Sequence, residues 1–177
     1  WSFNLLGGIM LSGNLKKNER KKTSINKELE SAVGYIIKRA EFYSYILTKE
    51  LLELQEEHIS YFAELDQRLK KKERIIEKIQ EKMTVDKMKL KDATASIRDV
   101  LRYTIIVDDK VYVSKVDEYL NRIEDMGYEV VRFKNAWGNE YYQGINVTFE
   151  DLDGFKFEIQ FHTPNGFAIK EGKLRNV

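Results

Sequence analysis

The chain predicts an α+β fold, a mixed β-sheet flanked by helices with a long helical segment on its N-terminal side, and three stretches carry that prediction. Gly154–Thr163 alternates without a break, with Phe155, Phe157, Ile159 and Phe161 on one parity and Lys156, Glu158, Gln160 and His162 on the other. Successive strand side chains point to opposite sheet faces, so this is a half-buried strand whose polar face holds three hydrogen-bonding side chains placed for contact. Arg102–Val107 is a short run of β-branched residues suited to a buried strand. Ile25, Leu29, Val33, Ile36, Ala40, Tyr43, Leu47, Leu51, Leu54, Phe62 and Leu65 recur mainly in steps of three and four. That spacing predicts a long amphipathic helix or two stacked ones.

At 177 residues the chain can bury a sizeable core as one domain with a helical appendage. Three segments are expected: a flexible, uncertain stretch over 1–23, a main domain over 66–177, and between them a helical segment over 24–65 that packs on the main domain. Thirty basic against 29 acidic side chains leave +1, so no whole-molecule field points to nucleic acid or a membrane. With no cysteine, disulfides and thiolate metal sites are excluded and a reducing compartment suits the chain. The longest apolar run, near Leu5–Leu11, is too short and glycine-broken to span a bilayer, and no basic region precedes it. A cytoplasmic location with no membrane partner is therefore expected. The chain opens on Trp1, so a fragment, a processed product or a start at Met10 are all open readings.

In chain order, Lys16, Lys17, Arg20, Lys21 and Lys22 form a basic run, read as a solvated linker or a phosphate-binding arm. Ser24 is placed to cap the helix after it. Ile75, Ile76, Ile79 and Met83 mark a second helix, preceded and interleaved by Arg68, Lys70, Arg74 and Lys78. If the chain up to about Lys72 is extended or turned, these four cations converge on one polyanion at a helix N-terminal end, where free N–H groups also suit phosphate. A solvated charged helix is the plain alternative. A short helix over Ala93–Leu101 carries Asp99 into the strand at Arg102. Val113, Val116, Leu120, Ile123 and Met126 predict a helix stopped by Gly127. Strands come next at Tyr128–Phe133 and Tyr142–Phe149, separated by a contact-rich loop from Lys134 to Tyr141. A short helix is expected over Asn165–Leu174.

The last two strands should form a hairpin across the five-residue turn Glu150–Gly154. Pairing Phe149 with Phe155 puts Asn146 opposite Glu158, Gly144 opposite Gln160 and Tyr142 opposite His162. Ile145, Val147, Phe157 and Ile159 then share the core face, and Tyr142, Asn146, Glu158, Gln160 and His162 form one polar wall. Gly144 would leave room for a ligand close to the backbone.

These blocks resemble, in order, the synthetase domain of the RelA/SpoT family of alarmone synthetases over roughly Asp66 to Glu171. Arg68-Leu-Lys70 with Arg74 and Lys78 resembles its basic donor-binding segment, Asp99-Val-Leu its magnesium-binding segment, and Tyr142-Gln-Gly-Ile-Asn146 with Phe157–Thr163 its tyrosine and Glu-x-Gln motifs. Arg74, Gly144, Asn146, Arg102 and Thr104 depart from the family's usual residues. The resemblance implies a nucleotidyltransferase-like sheet and a pyrophosphokinase. Such an enzyme moves the β,γ-pyrophosphate of ATP to the 3′-hydroxyl of an acceptor, which is GDP or GTP, an adenine nucleotide, or a tRNA 3′ end. It implies ATP phosphates on Arg68, Lys70, Arg74 and Lys78, Mg2+ on Asp99 and Glu158, and activation of the attacking hydroxyl by Glu158. It implies an acceptor held by Tyr142, Asn146, Gln160, His162 and Lys134, with Tyr142 stacked on the base. A toxin-like role with a neutralising antitoxin or immunity protein is implied as well, and delivery within a larger secreted toxin would leave the same residues. The competing readings are a nucleotide- or RNA-binding module without turnover, and a helical interaction protein built on Ile25–Leu65.

Overall fold

The apolar stripe of the N-terminal half folds as one helix, α1 (Asn4–Glu53), burying Leu29, Val33, Ala40, Leu47 and Leu51. The structure, a computed structural model, describes the backbone of residues 4–172 and the side chains of residues 23–172. The side chains of the basic run Lys16–Lys22 and of Trp1–Ile9 lie outside the described residues. Beyond Leu54 the stripe has a gap before Phe62, and there the helix ends. His58 takes a left-handed turn at φ 64°, and the Ser60 N–H donates to the Glu56 carbonyl at 3.0 Å. Phe62 therefore belongs to a strand, β1 (Ser60–Ala63), and Leu65 opens a single 3-10 turn, rather than both extending the helix.

The remaining elements are α2 (Lys72–Thr84), α3 (Leu90–Ala95), β2 (Arg102–Val107), α4 (Tyr112–Asp125), β3 (Glu129–Asn135), β4 (Ile145–Glu150), β5 (Lys156–His162) and α5 (Pro164–Lys170). The short helix before β2 thus ends at Ala95, and residues 96–100 run irregularly into the strand with Asp99 among them. Thr163 caps α5, its hydroxyl accepting from the Gly166 N–H at 3.2 Å.

The five strands form one mixed sheet in the order β1-β2-β5-β4-β3. Only β2 and β5 pair in parallel; the other neighbours are antiparallel. The final strand is thus inserted at the sheet centre, and every residue from Phe157 to His162 is buried. This overturns the half-buried expectation: the polar parity is covered as well as the apolar one.

The hairpin register also differs from the expected one, by two residues. Phe149 stands opposite Phe157, Thr148 opposite Glu158, and Asn146 opposite Gln160. A slip of two preserves both faces, because the side-chain period is two. Its cause is Asp151, whose carboxylate accepts from the backbone N–H groups of Asp153 (2.9 Å) and Phe155 (2.7 Å). That turn draws Phe155 out of the ladder to stack on Tyr43 of α1, ring centroids 4.3 Å apart.

Apolar side chains of one sheet face (Tyr103, Ile105, Val107, Val147, Phe149, Phe157, Ile159 and Phe161) join buried residues of α1, α2, α3 and α4 in a single core. Cross-strand partners share a face. The ladder therefore lays two rows across the opposite face: Arg102, Glu158, Thr148 and Arg132, then Thr104, Gln160, Asn146 and Lys134. Helices α1 to α4 pack on the apolar face, and α5 meets the polar face at His162 through Phe167, ring centroids 6.1 Å apart.

Candidate active site

A short backbone ladder joins the basic segment to the sheet. Leu69 bridges Leu101 in antiparallel fashion, the Lys70 N–H donates to the Val100 carbonyl at 2.8 Å, and the Arg102 N–H donates to the Arg68 carbonyl at 2.8 Å. The segment before α2 is thus turned and extended, as convergence of its cations requires. The ladder sets Lys70 beside Asp99, whose Oδ2 takes the Lys70 ammonium at 2.6 Å. From α2, Lys78 reaches the same carboxylate at 2.9 Å (Oδ1) and 3.0 Å (Oδ2).

Burial alone would raise the Asp99 carboxyl, but the bonds from Lys70 and Lys78 hold it below the usual carboxylate range. Lys70 itself is lowered, chiefly by burial; its bond to Asp99 opposes that, while Lys78 and Arg102 repel it. The directions agree physically: one carboxylate is shared by two ammoniums, so the acid gains more than either base. The cluster keeps an excess of positive charge in a partly desolvated place, which suits a polyanion.

The other two expected donor-binding cations sit differently. Arg68 spends Nε on Ser44 Oγ at 2.7 Å and one terminal nitrogen on the Leu65 carbonyl at 2.8 Å, which pins the segment to α1. Arg74 is exposed and pairs with Glu77 one turn along α2, at 2.6 Å.

On the sheet face, Glu158 is nearly buried and its Oε1 accepts from Gln160 Nε2 at 2.8 Å. Tyr142 lies just before β4 and donates its hydroxyl to Asn146 Oδ1 at 2.5 Å; its ring meets His162 edge-on, with centroids 4.9 Å apart. Burial, with the Glu158 charge adding and Asn146 and Arg102 opposing, pushes the Tyr142 phenol up to about 12. Tyr142 therefore belongs to the same electrostatic neighbourhood as Glu158 and Arg102. Lys134 stands opposite Asn146 on the exposed edge strand.

His162 is fully buried, and burial pushes its imidazole down to about 4, so it is neutral at pH 7. Its Nδ1–H donates to the Gln143 carbonyl at 2.6 Å, which leaves Nε2 an acceptor. Among the described residues, Nε2 and the Gln160 Oε1 are buried acceptors with no donor. The space beside Gly144 is also taken: a Cβ there would lie 2.4 Å from the Phe161 carbonyl oxygen and 2.7 Å from His162 Nδ1. The glycine admits the chain's own β5 rather than a ligand.

No protein-family model matches the sequence, and no curated relative does. In fold, the chain is similar to the Type VI effector Tas1, seen in a crystal structure with its immunity protein, at TM-score 0.46 and 20% identity over 80% of this chain and 63% of that one. The chain thus spans less than two thirds of that effector's length. It is similar to the same degree, TM-score 0.46 and 20% identity, to smu.1046c from Streptococcus mutans UA159, over 81% of this chain and 75% of that one. Likeness at this level leaves the functional reading to the chain's own residues.

Arg102 is the site residue that the motifs pass over. It opens β2, stands beside Glu158 on the parallel ladder and acts electrostatically on both Lys70 and Tyr142, so it joins the lysine cluster to the polar wall. A lone cation at the head of an otherwise uncharged, buried strand is the sequence cue for it. Thr104 and Thr148 are the other buried polar residues of this face.

No group of three or more His, Cys, Asp or Glu able to hold a metal occurs among the described residues, so a divalent cation would have to rely on Asp99 and Glu158. Magnesium keeps oxygen ligands and completes its shell with water and substrate phosphates, so one or two carboxylates fit it. Both Asp99 oxygens face ammonium groups, so a cation bound there would have to displace at least one lysine. No described helix is long and apolar enough to cross a membrane.

Proposed function

We propose that this protein is a magnesium-dependent pyrophosphokinase that transfers the β,γ-pyrophosphate of ATP to the 3′-hydroxyl of a nucleotide acceptor. The observation that carries the reading is Asp99 held between Lys70 and Lys78, with Glu158 beyond Arg102 on the same polar sheet face. In-line phosphoryl-type transfer asks for positioning and charge neutralisation more than for a covalent nucleophile, and such a cluster supplies both.

Lys70 and Lys78 would grip the donor phosphates, with Arg68 fixing the segment that presents them. The acceptor hydroxyl oxygen attacks the β-phosphorus. A bond forms between that oxygen and the β-phosphorus, the bond from the β-phosphorus to the α,β-bridging oxygen breaks, and AMP leaves. The hydroxyl proton passes to Glu158, whose Oε1 is fixed by Gln160. Magnesium, held by Asp99 and Glu158, would supply charge neutralisation at the phosphates. Tyr142 offers a face for the acceptor base beside Asn146, and Lys134 a cation for the acceptor phosphates. The toxin role and a neutralising partner protein rest on the sequence resemblance.

The test is incubation with labelled ATP and Mg2+ against GDP, GTP, ADP, AMP and bulk tRNA, followed by chromatography. Release of AMP with label on one acceptor is the expected result. No ATP consumption with any acceptor would leave a nucleotide-binding module in its place.

A further inference from the structure

Three cations meet at the head of β2: Lys70, Lys78 and Arg102. Two carboxylates, Asp99 and Glu158, face them. The ladder hydrogen bond between the Arg102 N–H and the Arg68 carbonyl, 2.8 Å, fixes the basic segment against the head of β2, where Arg102 and Lys70 act on each other as like charges. The neighbours are each occupied within the protein: Arg68 on Ser44 and the Leu65 carbonyl, Lys70 and Lys78 on Asp99. Arg102 differs. Glu158 is its cross-strand partner, yet no ion pair joins them, and no side-chain hydrogen bond to Arg102 occurs among the described residues. A half-buried guanidinium without a partner, beside other cations, is costly unless an anion occupies the place.

We propose that Arg102 is a phosphate-binding residue, holding the inner phosphates of the donor between the Lys70–Asp99–Lys78 cluster and Glu158. Its fork of N–H groups can take two phosphate oxygens at once, which an ammonium cannot. It stands between the groups that would hold the donor and the carboxylate that would face the acceptor, where the transferred group must lie. The identity of the donor rests on the pyrophosphokinase reading; the anion site does not.

The experiment is calorimetric titration of the full chain, wild type, Arg102→Gln and Arg102→Lys, with inorganic tripolyphosphate, together with thermal unfolding of each variant without ligand. Arg102→Gln is expected to weaken tripolyphosphate about 10- to 100-fold. Arg102→Lys should recover part of that loss, and the ligand-free Gln variant should melt no lower than wild type because a repulsion is removed. Unchanged affinity in Arg102→Gln overturns the proposal, and so does a ligand-free Gln variant that melts well below wild type or fails to fold. The outcome separates from that of the enzyme: a chain that binds tripolyphosphate through Arg102 but never releases AMP retires the pyrophosphokinase and keeps this site. AMP release with unchanged binding in Arg102→Gln does the reverse.

Discussion

Glu158 and Arg102 are direct neighbours on the parallel ladder, and yet no ion pair joins them among the described residues. The carboxylate is instead steadied by Gln160 through one oxygen. Glu158→Gln keeps the side chain's shape and removes its capacity to take a proton. AMP release from ATP should fall by about 100-fold or more, the usual scale for losing a general base. Thermal unfolding should stay within a few degrees of wild type. AMP release at the wild-type rate would remove Glu158 from the chemistry.

Asp99 acts both on structure and on any phosphate site. Asp99→Asn leaves Lys70 and Lys78 to repel each other over a neutral amide, and hydrogen bonds to charged groups contribute about 1.5–3 kcal/mol each. The variant should lose stability in denaturant titration, and the loss should shrink in the presence of tripolyphosphate, which restores the missing negative charge. A loss unaffected by the anion would mean that the lysines do not face a shared ligand.

Tyr142 separates two contributions. Tyr142→Phe keeps the ring and removes the bond to Asn146, so its effect on the acceptor KM should be small. Tyr142→Ala removes the stacking face, worth about 1–3 kcal/mol per base, and should raise the acceptor KM roughly 10- to 100-fold. The KM for ATP should change little. An equal rise in both constants would contradict an acceptor-side role.

His162 makes stability depend on acid. Burial lowers its folded pKa to about 4, below the ordinary value of 6.5, so the unfolded chain binds more protons between those pH values. The contribution is fully present above about pH 6.5 and is lost as pH falls towards 4, roughly 3 kcal/mol in all. Asp99 adds a further loss in the same direction, but only below the ordinary carboxylate range. Urea unfolding at pH 7.5 and pH 5 should show the His162 part, and His162→Gln should flatten it. A wild-type curve flat over that window would show that the imidazole is not buried neutral.

Gly144→Ala should destabilise by about 1–3 kcal/mol, because the new methyl meets the Phe161 carbonyl and the His162 ring. Chemical denaturation measures it directly. A neutral substitution would mean that β5 lies farther from residue 144 than its contacts require.

How much of the molecule was legible in the sequence depended on the range over which each constraint acts. Strand β2 and the alternation of β5 were legible because period and β-branching are local, and the helix stripe was legible up to Leu54. Phe62 was misassigned because a residue on a short edge strand can fall in step with a helical stripe across a gap. The hairpin slipped by two because alternation cannot distinguish registers of equal parity; Asp151 decides it by capping the turn. The covered polar face was illegible because burial of Gln160 and His162 depends on β2 arriving alongside, which no local pattern records. Of the candidate site, the resemblance marked Lys70, Lys78 and Asp99, which the structure joins directly, together with Arg68 and Arg74, which turn to Ser44 and Glu77 instead. Arg102 was passed over, since its importance comes from partners contributed by β5 and by the segment before α2.

The parallel pairing of β2 with β5 has a consequence for how the protein is made. Arg102 and Glu158 are 56 positions apart, and between them the chain must complete α4, β3, β4 and the Asp151 turn. Contacts of such separation form slowly and late. A nascent chain that has folded its helices and β1–β2 would hold the lysines and Asp99 but no Glu158 and no central strand. Phosphate-binding capacity should therefore emerge from the ribosome well before any catalytic capacity does, and docking of β5 is the step that would confer it.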